Sequence, residues 1–415
     1  MIKLLQEIST SRLANLYVDH LAIQTIDSSA ENLIAYLDFT DSFTYECNDK
    51  YSIWEKFSDS PLKNTLSFSG WVGFFGYELL GAHFGVQLHA TRDLEVPAAW
   101  FGRPQTLIRF ESGFTIIEST DDDREKEIEN LLSLPSSEKS RQSSPCTPTC
   151  NLSFEEYRAT FNRAREAILD GETYQIKISQ RFEAKSFLDP LATFVKLHAS
   201  NPAPEAFLLQ TPKFSLVSCS PETVITKKSD MISTRPIGGT YQRNDSRLDS
   251  SVIETFLQDP KEVAEHNMLV DLERNDLSTI CLPASVQIQN FREVESYSHL
   301  HHLVSTISGR LKQDTTLPRI IQAMLPGGSI TGCPKMRTME WIDQLEPCFR
   351  GPYTGSFGSI SDNGDIRLNL IIRAMLILGD HCYTQAGGGI VVNSTPEYEY
   401  QENKTKAQAL LDLLT

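Results

Sequence analysis

Residues 259–276 read DPKEVAEHNMLVDLERND, and the organisation of the chain can be worked out from this stretch. As a helix it brings Glu262, Glu265, His266 and Leu269 close to one stripe through three- and four-residue spacing. The apolar run Met268, Leu269, Val270 would pin that helix into a core. Carboxylates and an imidazole beside a buried segment are costly unless they bind something. A hard cation such as Mg²⁺, held by a few carboxylates and completed by substrate oxygens, accounts for the cost. The alternative is a solvated face on which Lys261 pairs with Glu265 and Glu273 with Arg274.

The 415 residues carry 38 Lys plus Arg against 54 Asp plus Glu, a formal charge of −16. Nucleic acid needs a basic footprint that this balance does not offer, whereas a small anion needs only local cations. No stretch approaches the ~20 apolar residues of a membrane span, and the first residues lack the form of a secretory signal. No membrane partner and a cytoplasmic location are therefore expected. The eight cysteines form neither CxxC pairs nor a dense framework, which suits reduced thiols.

A Ser/Pro-rich stretch at 133–150, SLPSSEKSRQSSPCTPTC, reads as an exposed linker between an N-terminal region, 1–132, and a larger region, 151–415. Ser153 and Glu156 form a capping box that opens an amphipathic helix ending near Gly171. TYQIKISQRF at 173–182 alternates as a half-buried strand, with Tyr174, Ile176 and Ile178 on one face and Gln175, Lys177 and Ser179 on the other. Further strands are expected at 214–219, 285–290, 366–377 and 388–392, and helices at 317–323, 335–344 and 397–414. Strands outnumber helices without regular βαβ alternation, so the expected class is α+β.

Several stretches carry chemistry. Glu399, Glu402 and Lys406 share a helix face at i, i+3 and i+7, either as surface ion pairs or as a metal ligand beside an anion-binding ammonium. PGGSITG at 326–332 and AGGG at 386–389 offer bare backbone N–H groups to an anion, or simply form tight bends. Neither has P-loop spacing. Arg373, set in an apolar strand, wants a carboxylate partner that a substrate could supply. Of His299, His301 and His302, strand alternation leaves one as a general acid/base candidate. Glu222 ends a strand at Ser-Pro-Glu, as a turn residue or as an acid with a raised pKa. The residues alone point to a Mg²⁺-dependent enzyme acting on a small carboxylate.

The ordered set GETYQIKISQRF, SPE, RPIGGT, DPKEVAEHNMLVDLERND, YSHLHHLVST, PGGSITGCPK, IDQLEP, YTGSFG, IIRA, QAGGGIV and EYQENKTKA resembles the chorismate-utilising enzymes over residues 153–415. That family includes anthranilate synthase component I, aminodeoxychorismate synthase component I, and isochorismate and salicylate synthases. The resemblance implies two antiparallel β-sheets packed as a steeply crossed sandwich and flanked by helices. It implies Mg²⁺ on Glu265 and Glu402, with Glu262 and Glu399 beside them. The ring carboxylate of chorismate would meet the metal, Lys406 and backbone N–H groups near Gly387, Gly388 and Gly389. Tyr353 and Arg373 would hold the enolpyruvyl carboxylate, with Thr240 and Ser329 as polar contacts. Glu222 resembles the acid that protonates the departing C4 hydroxyl, and His302 the family's catalytic histidine.

Gln175 stands where water-adding members carry a basic lysine, and a carboxamide takes no proton at neutral pH. This implies an ammonia-using member, supplied by a separate glutamine amidotransferase subunit (component II). PGGSITG, AGGGIV, GWVGFFGYE and the chain length lean toward aminodeoxychorismate synthase component I, which makes 4-amino-4-deoxychorismate for 4-aminobenzoate and folate. Gly238 departs from that type, whose PIKGT lysine attacks C2, and it keeps anthranilate synthase component I as the alternative. Arg367, Ala374 and Cys333 also depart from usual residues, and Leu37 to Thr40 is the nearest stretch to a tryptophan-feedback segment. A non-catalytic chorismate-binding or scaffolding relative is the remote alternative.

Overall fold

A computed structural model describes residues 2–4, 8–26, 32–49, 51–57, 66–111, 113–136, 146–242, 249–296 and 300–414. Its N-terminal elements are β1 (Ile2–Leu4), β2 (Leu21–Thr25), β3 (Leu33–Tyr45), α1 (Ile53–Lys56), β4 (Gly70–Phe75), α2 (Tyr77–His83), β5 (Ala99–Glu111), β6 (Phe114–Ser119) and α3 (Asp122–Ser133). Next come β7 (Thr149–Cys150), α4 (Phe154–Leu169), β8 (Ile176–Lys185), α5 (Pro190–Ser200), β9 (Glu205–Gln210), β10 (Ser215–Ser220), β11 (Thr223–Lys228), β12 (Met231–Thr234) and β13 (Ile237–Gln242). The remainder is α6 (Asp249–Gln258), α7 (Pro260–Ile280), β14 (Gln287–Ser296), β15 (Leu300–Arg310), α8 (Leu317–Met324), α9 (Lys335–Leu345), β16 (Ser356–Ser361), β17 (Ile366–Asn369), β18 (Ala374–Leu378), β19 (His381–Ile390) and α10 (Pro396–Leu411).

All the strand pairings are antiparallel. One arm runs β8-β19-β18-β10-β9-β2-β3, and the other runs β4-β16-β17-β11-β12-β15 with β13 and β14 on β15. The arms meet on two long strands. The register of β3 against β5 shifts between Phe39 and Asp41, and the two halves of β5 serve different neighbours. A bulge that lets one strand pass from sheet to sheet is how steeply crossed sandwiches turn their corners. The α+β class and the crossed two-sheet architecture expected from the sequence are therefore what the chain adopts.

The space between the sheets is filled by residues of both arms, among them Tyr36, Phe74, Phe207, Leu216, Phe357 and Leu376. The outer face of one sheet packs on α5 and the end of α10, and that of the other on α7 and α8. The capping box at Ser153 and Glu156 is present at the start of α4.

Two expectations change. The single strand expected over 366–377 is two strands, β17 and β18, separated by a turn in which Arg373 has φ +48°. Leu370 and Ile371, which lead into it, are buried, so apolarity alone could not reveal the break. Tyr174 lies outside β8 and is exposed, because the chain enters the strand only at Ile176. Residues 137–145 of the Ser/Pro-rich stretch, and His299, lie outside the described residues.

Phe207 of β9 and Phe357 of β16 stack across the sandwich, with centroids 4.1 Å apart and planes at 10°. Phe357→Ala should lower the unfolding free energy by about 3–5 kcal/mol, read from urea denaturation. A loss below about 1 kcal/mol would mean that the two sheets are not coupled through this pair.

Candidate active site

A cavity of about 160 Å³ opens where α7 and α10 approach β8 and β19. Its floor is the β8–β19 pairing, which sets Lys177 opposite Gly389 and Ser179 opposite Gly387. The glycines make room for what covers them. A methyl group at Gly388 would overlap the Glu399 carboxylate, and one at Gly389 would overlap the Gln175 carboxamide. Helix α10 therefore lies on β19 with Glu399 and Glu402 close to the strand.

On α10, Lys406 is 3.2 Å from Glu402 and donates at 3.4 Å to the carbonyl of Gly387. Ser394 donates to Glu399 at 2.9 Å. From α7, Glu262, Glu265 and Leu269 face the cavity. His266 instead turns into the core, where its Nε2 and the Ser305 hydroxyl are 2.7 Å apart. Helix α7 sits tightly on β13: a Cβ at Gly238 would lie 2.9 Å from His266 and 3.0 Å from Leu269.

Glu222 follows directly on β10 and is buried. Burial pushes its pKa up to about 7, against the opposing pull of the Ser329 hydroxyl, Lys177 and Arg373. Ser329 donates to it at 2.6 Å. The Ser329 turn is anchored from α7, where the buried Glu273 accepts the Gly328 N–H at 3.1 Å. Burial, and then the nearby Asp276, raises Glu273 to about 8.

His302 donates from Nδ1 to the Gly239 carbonyl, and its Nε2 accepts from Arg373, both at 3.1 Å. Burial and the adjacent guanidinium push His302 down to about 3, so it is neutral. The turn after β17 aims Arg373, held by Ser218 Oγ on the Ile372 carbonyl and by the Cys219 N–H on its own carbonyl. Tyr353 closes another wall, its ring 5.7 Å from the Arg350 guanidinium.

The cavity thus gathers Glu222, Glu262, Glu265, His302, Ser329, Tyr353, Arg373, Gly387, Gly389, Glu399, Glu402 and Lys406 of the residues expected from the sequence. Gln175 is not on its wall. It is buried behind Gly389, and its Oε1 has no hydrogen-bond partner. Gly388 belongs to the floor but is covered by α10. Thr240 pairs with His302 through the β13–β15 ladder, and its side chain lies outside the described residues. Sequence reading passed over Lys177 and Gln385, which also line the cavity. The available signal was the charge of Lys177 between Ile176 and Ile178, on the strand face of Gln175.

The residue set suits a hard cation: four carboxylates from two helices border one cavity, with oxygen donors only. Among the described residues no three metal-ligating side chains are gathered around one point. Such an ion would therefore need substrate oxygens to complete its shell.

The sequence profile of chorismate binding enzymes matches residues 21–412. The chain belongs to the chorismate-binding enzyme family. An anthranilate synthase component I-like protein of Synechocystis sp. is 35% identical over 352 residues, 83% of this chain and 72% of its own length. Aminodeoxychorismate synthase component 1 of Bacillus subtilis is 39% identical over 249 residues, 60% of this chain and 53% of its own length. Several matches thus span about half of the relative. The crystal structure of anthranilate synthase component I from Streptococcus pneumoniae superposes with a TM-score of 0.82 at 27% identity, covering 92% of each chain. The chain is a chorismate-utilising enzyme of the anthranilate synthase and aminodeoxychorismate synthase type.

Glu222 and Glu273 hold protons more tightly in the folded chain, at about 7 and 8, than at their ordinary 4.5. Folding therefore takes up protons in that window, and stability falls as pH rises through it. Glu273→Gln keeps an acceptor for Gly328 and should flatten the upper part of that fall in urea unfolding measured against pH. An unchanged slope would show that Glu273 does not titrate there.

Proposed function

We propose that the chain is aminodeoxychorismate synthase component I, converting chorismate and ammonia to 4-amino-4-deoxychorismate with Mg²⁺. The reading rests above all on one observation: Glu222, a carboxyl with a pKa of about 7, shares a cavity with cationic side chains and with carboxylates from two helices. A group protonated near neutrality can give its proton to a departing hydroxyl. Arg373 and Tyr353 are set to bind one substrate carboxylate, and Lys406 with the backbone of Gly387 to Gly389 the other. His302, with its Nε2 on Arg373, steadies that guanidinium. Glu265 and Glu402, with Glu262 and Glu399 beside them, would hold Mg²⁺. The ion would neutralise the ring carboxylate and fix its orientation.

Ammonia would come from a separate glutamine amidotransferase subunit, as the component I names of the relatives suggest. Attack at C4 is favoured by the PGGSITG and AGGGIV segments and by the N-terminal GWVGFFGYE. Anthranilate synthase component I is the second reading. The packing of Gly238 against α7 favours it, because no side chain from that position reaches the substrate.

Purified protein with chorismate, Mg²⁺ and ammonium at mildly alkaline pH decides between the two. Appearance of 4-aminobenzoate only after an aminodeoxychorismate lyase is added supports the proposal, whereas anthranilate formed without the lyase overturns it. Glu265→Gln and Glu402→Gln should each lower turnover by on the order of 100-fold or more while leaving the circular dichroism unchanged. Full turnover of both variants at saturating Mg²⁺ would remove the metal assignment. Because Glu222 must be protonated, kcat/KM should fall as pH rises through about 7. Glu222→Gln should lose both that limb and most of the rate.

A further inference from the structure

Gln385 stands on the cavity wall, and the reading above gives it no task. It shares one face of β19 with Gly387 and Gly389. Its carboxamide is fixed at one end. Glu346, ion-paired with Arg350, offers only acceptors, so the Ser179 hydroxyl donates to Glu346 Oε1 at 2.7 Å. The Ser179 oxygen then faces Gln385 as an acceptor, and at 2.7 Å only the Nε2 end of the carboxamide can meet it. This turns Gln385 Oε1 the other way. Among the described residues no donor reaches that oxygen. An acceptor held in place without a donor, on the wall of a substrate cavity, is set for a ligand.

The same carboxamide borders a second, smaller cavity of about 30 Å³, and Tyr353 is the other side chain common to both. That volume holds one molecule of the size of water. Leu216, Ile371, Ala374 and Leu376 form much of its wall. The donors around it are committed elsewhere. Arg181 donates to Asp93 and Arg350 to Glu346, while Tyr383 donates to Glu183 and Thr384 to the Ala374 carbonyl at 3.0 Å. What this chamber offers is therefore acceptors, Gln385 Oε1 first among them. Water needs donors and acceptors in equal measure, whereas ammonia brings more donors than acceptors. Among the described residues no carboxylate lines the chamber, so an ammonium ion would lose its hydration uncompensated. The chamber thus suits the neutral nucleophile.

We propose that Gln385 is the ammonia-binding residue of this site: its Oε1 and the small cavity beside it hold one neutral ammonia molecule before that molecule adds to the ring. This rests on the amination reading of the same site. Ammonia donates an N–H to Oε1 and keeps its lone pair for the ring carbon. No proton or electron moves in this binding step. Ser179 is a positioning residue, acting through the carboxamide that it orients.

The test is steady-state amination by the purified chain, with chorismate and ammonium varied in turn at saturating Mg²⁺. Gln385→Met keeps the shape of the side chain and removes the acceptor. The KM for ammonia should rise about tenfold, as for the loss of one hydrogen bond, while the KM for chorismate stays the same. Ser179→Ala leaves Gln385 in place but frees its carboxamide to turn. It should raise the ammonia KM by a smaller factor and add nothing to Gln385→Met in the double variant. An unchanged ammonia KM in Gln385→Met overturns the inference. So does a rise confined to the chorismate KM, which would put the C4 hydroxyl on Oε1. Where circular dichroism shows that Gln385→Met does not fold, the ammonia KM of Ser179→Ala decides in the same way. Each of these outcomes leaves the amination reading intact. If the wild-type chain forms no aminated product from chorismate, the amination reading fails first and the inference falls with it.

Discussion

A guanidinium and a carboxylate with almost no water around them hold the site together. Arg350 and Glu346 are 2% and 4% exposed and 2.7 Å apart. Burying both charges is expensive, and the cost is offset only where the remaining hydrogen-bonding positions are also filled. Here they are. Glu346 accepts from the N–H and the hydroxyl of Ser179, while Arg350 reaches the carbonyls of Lys177 and Ile330 and lies against the rings of Tyr77 and Tyr353. The pair thus fixes the strand that carries Lys177, the loop that carries Ser329 and the tyrosine wall. Removing either partner would leave the other charge buried and unpaired, so these walls are specified together.

The second constraint is close approach. Two acidic helices can face one small cavity only if the sheet beneath them has no side chains in the way. Gly388 admits the carboxylates of α10, and Gly238 admits α7. Burial in the crowded space beneath these helices disfavours the charged forms of Glu222 and Glu273, which retain protons near neutrality. Three cations, Lys177, Arg373 and Lys406, face the same space. A site arranged like this is suited to a substrate that carries carboxylates and loses a hydroxyl.

Much of this was legible in the sequence where the signal is local. The capping box at Ser153, the spacing of Glu262 and Glu265, and the i, i+3, i+7 face of α10 each follow from neighbours along one helix. What stayed hidden depends on contacts between distant segments. Nothing local marks the break before Arg373, because Leu370 and Ile371 are as buried as the strands beside them. Gln175 and Lys177 share a strand face, yet one is buried under Gly389 while the other reaches the cavity. Alternation gives the face but not the depth. Glu346 and Arg350 lie in an ordinary-looking loop segment, and only their partners show what they do.

The departures from the family pattern also gain a physical reading. Arg367, where an acidic residue is common, does not stand as a stray charge. It pairs with Glu205 at 3.1 Å and donates to the carbonyls of Ile26 and Pro204, while Glu205 also accepts from Thr223. A chain drifting toward a passive scaffold would have no reason to keep the altered charge of Arg367 satisfied or to retain a buried acid and four carboxylates around one small cavity. Such groups weaken a fold unless something binds them. The same reasoning applies to Gly238. Its bare backbone brings α7, with Glu262 and Glu265, close to the sheet, and a longer side chain there would push the helix away. Gly238 is therefore the residue that lets helix α7 bring its carboxylates to the edge of the cavity.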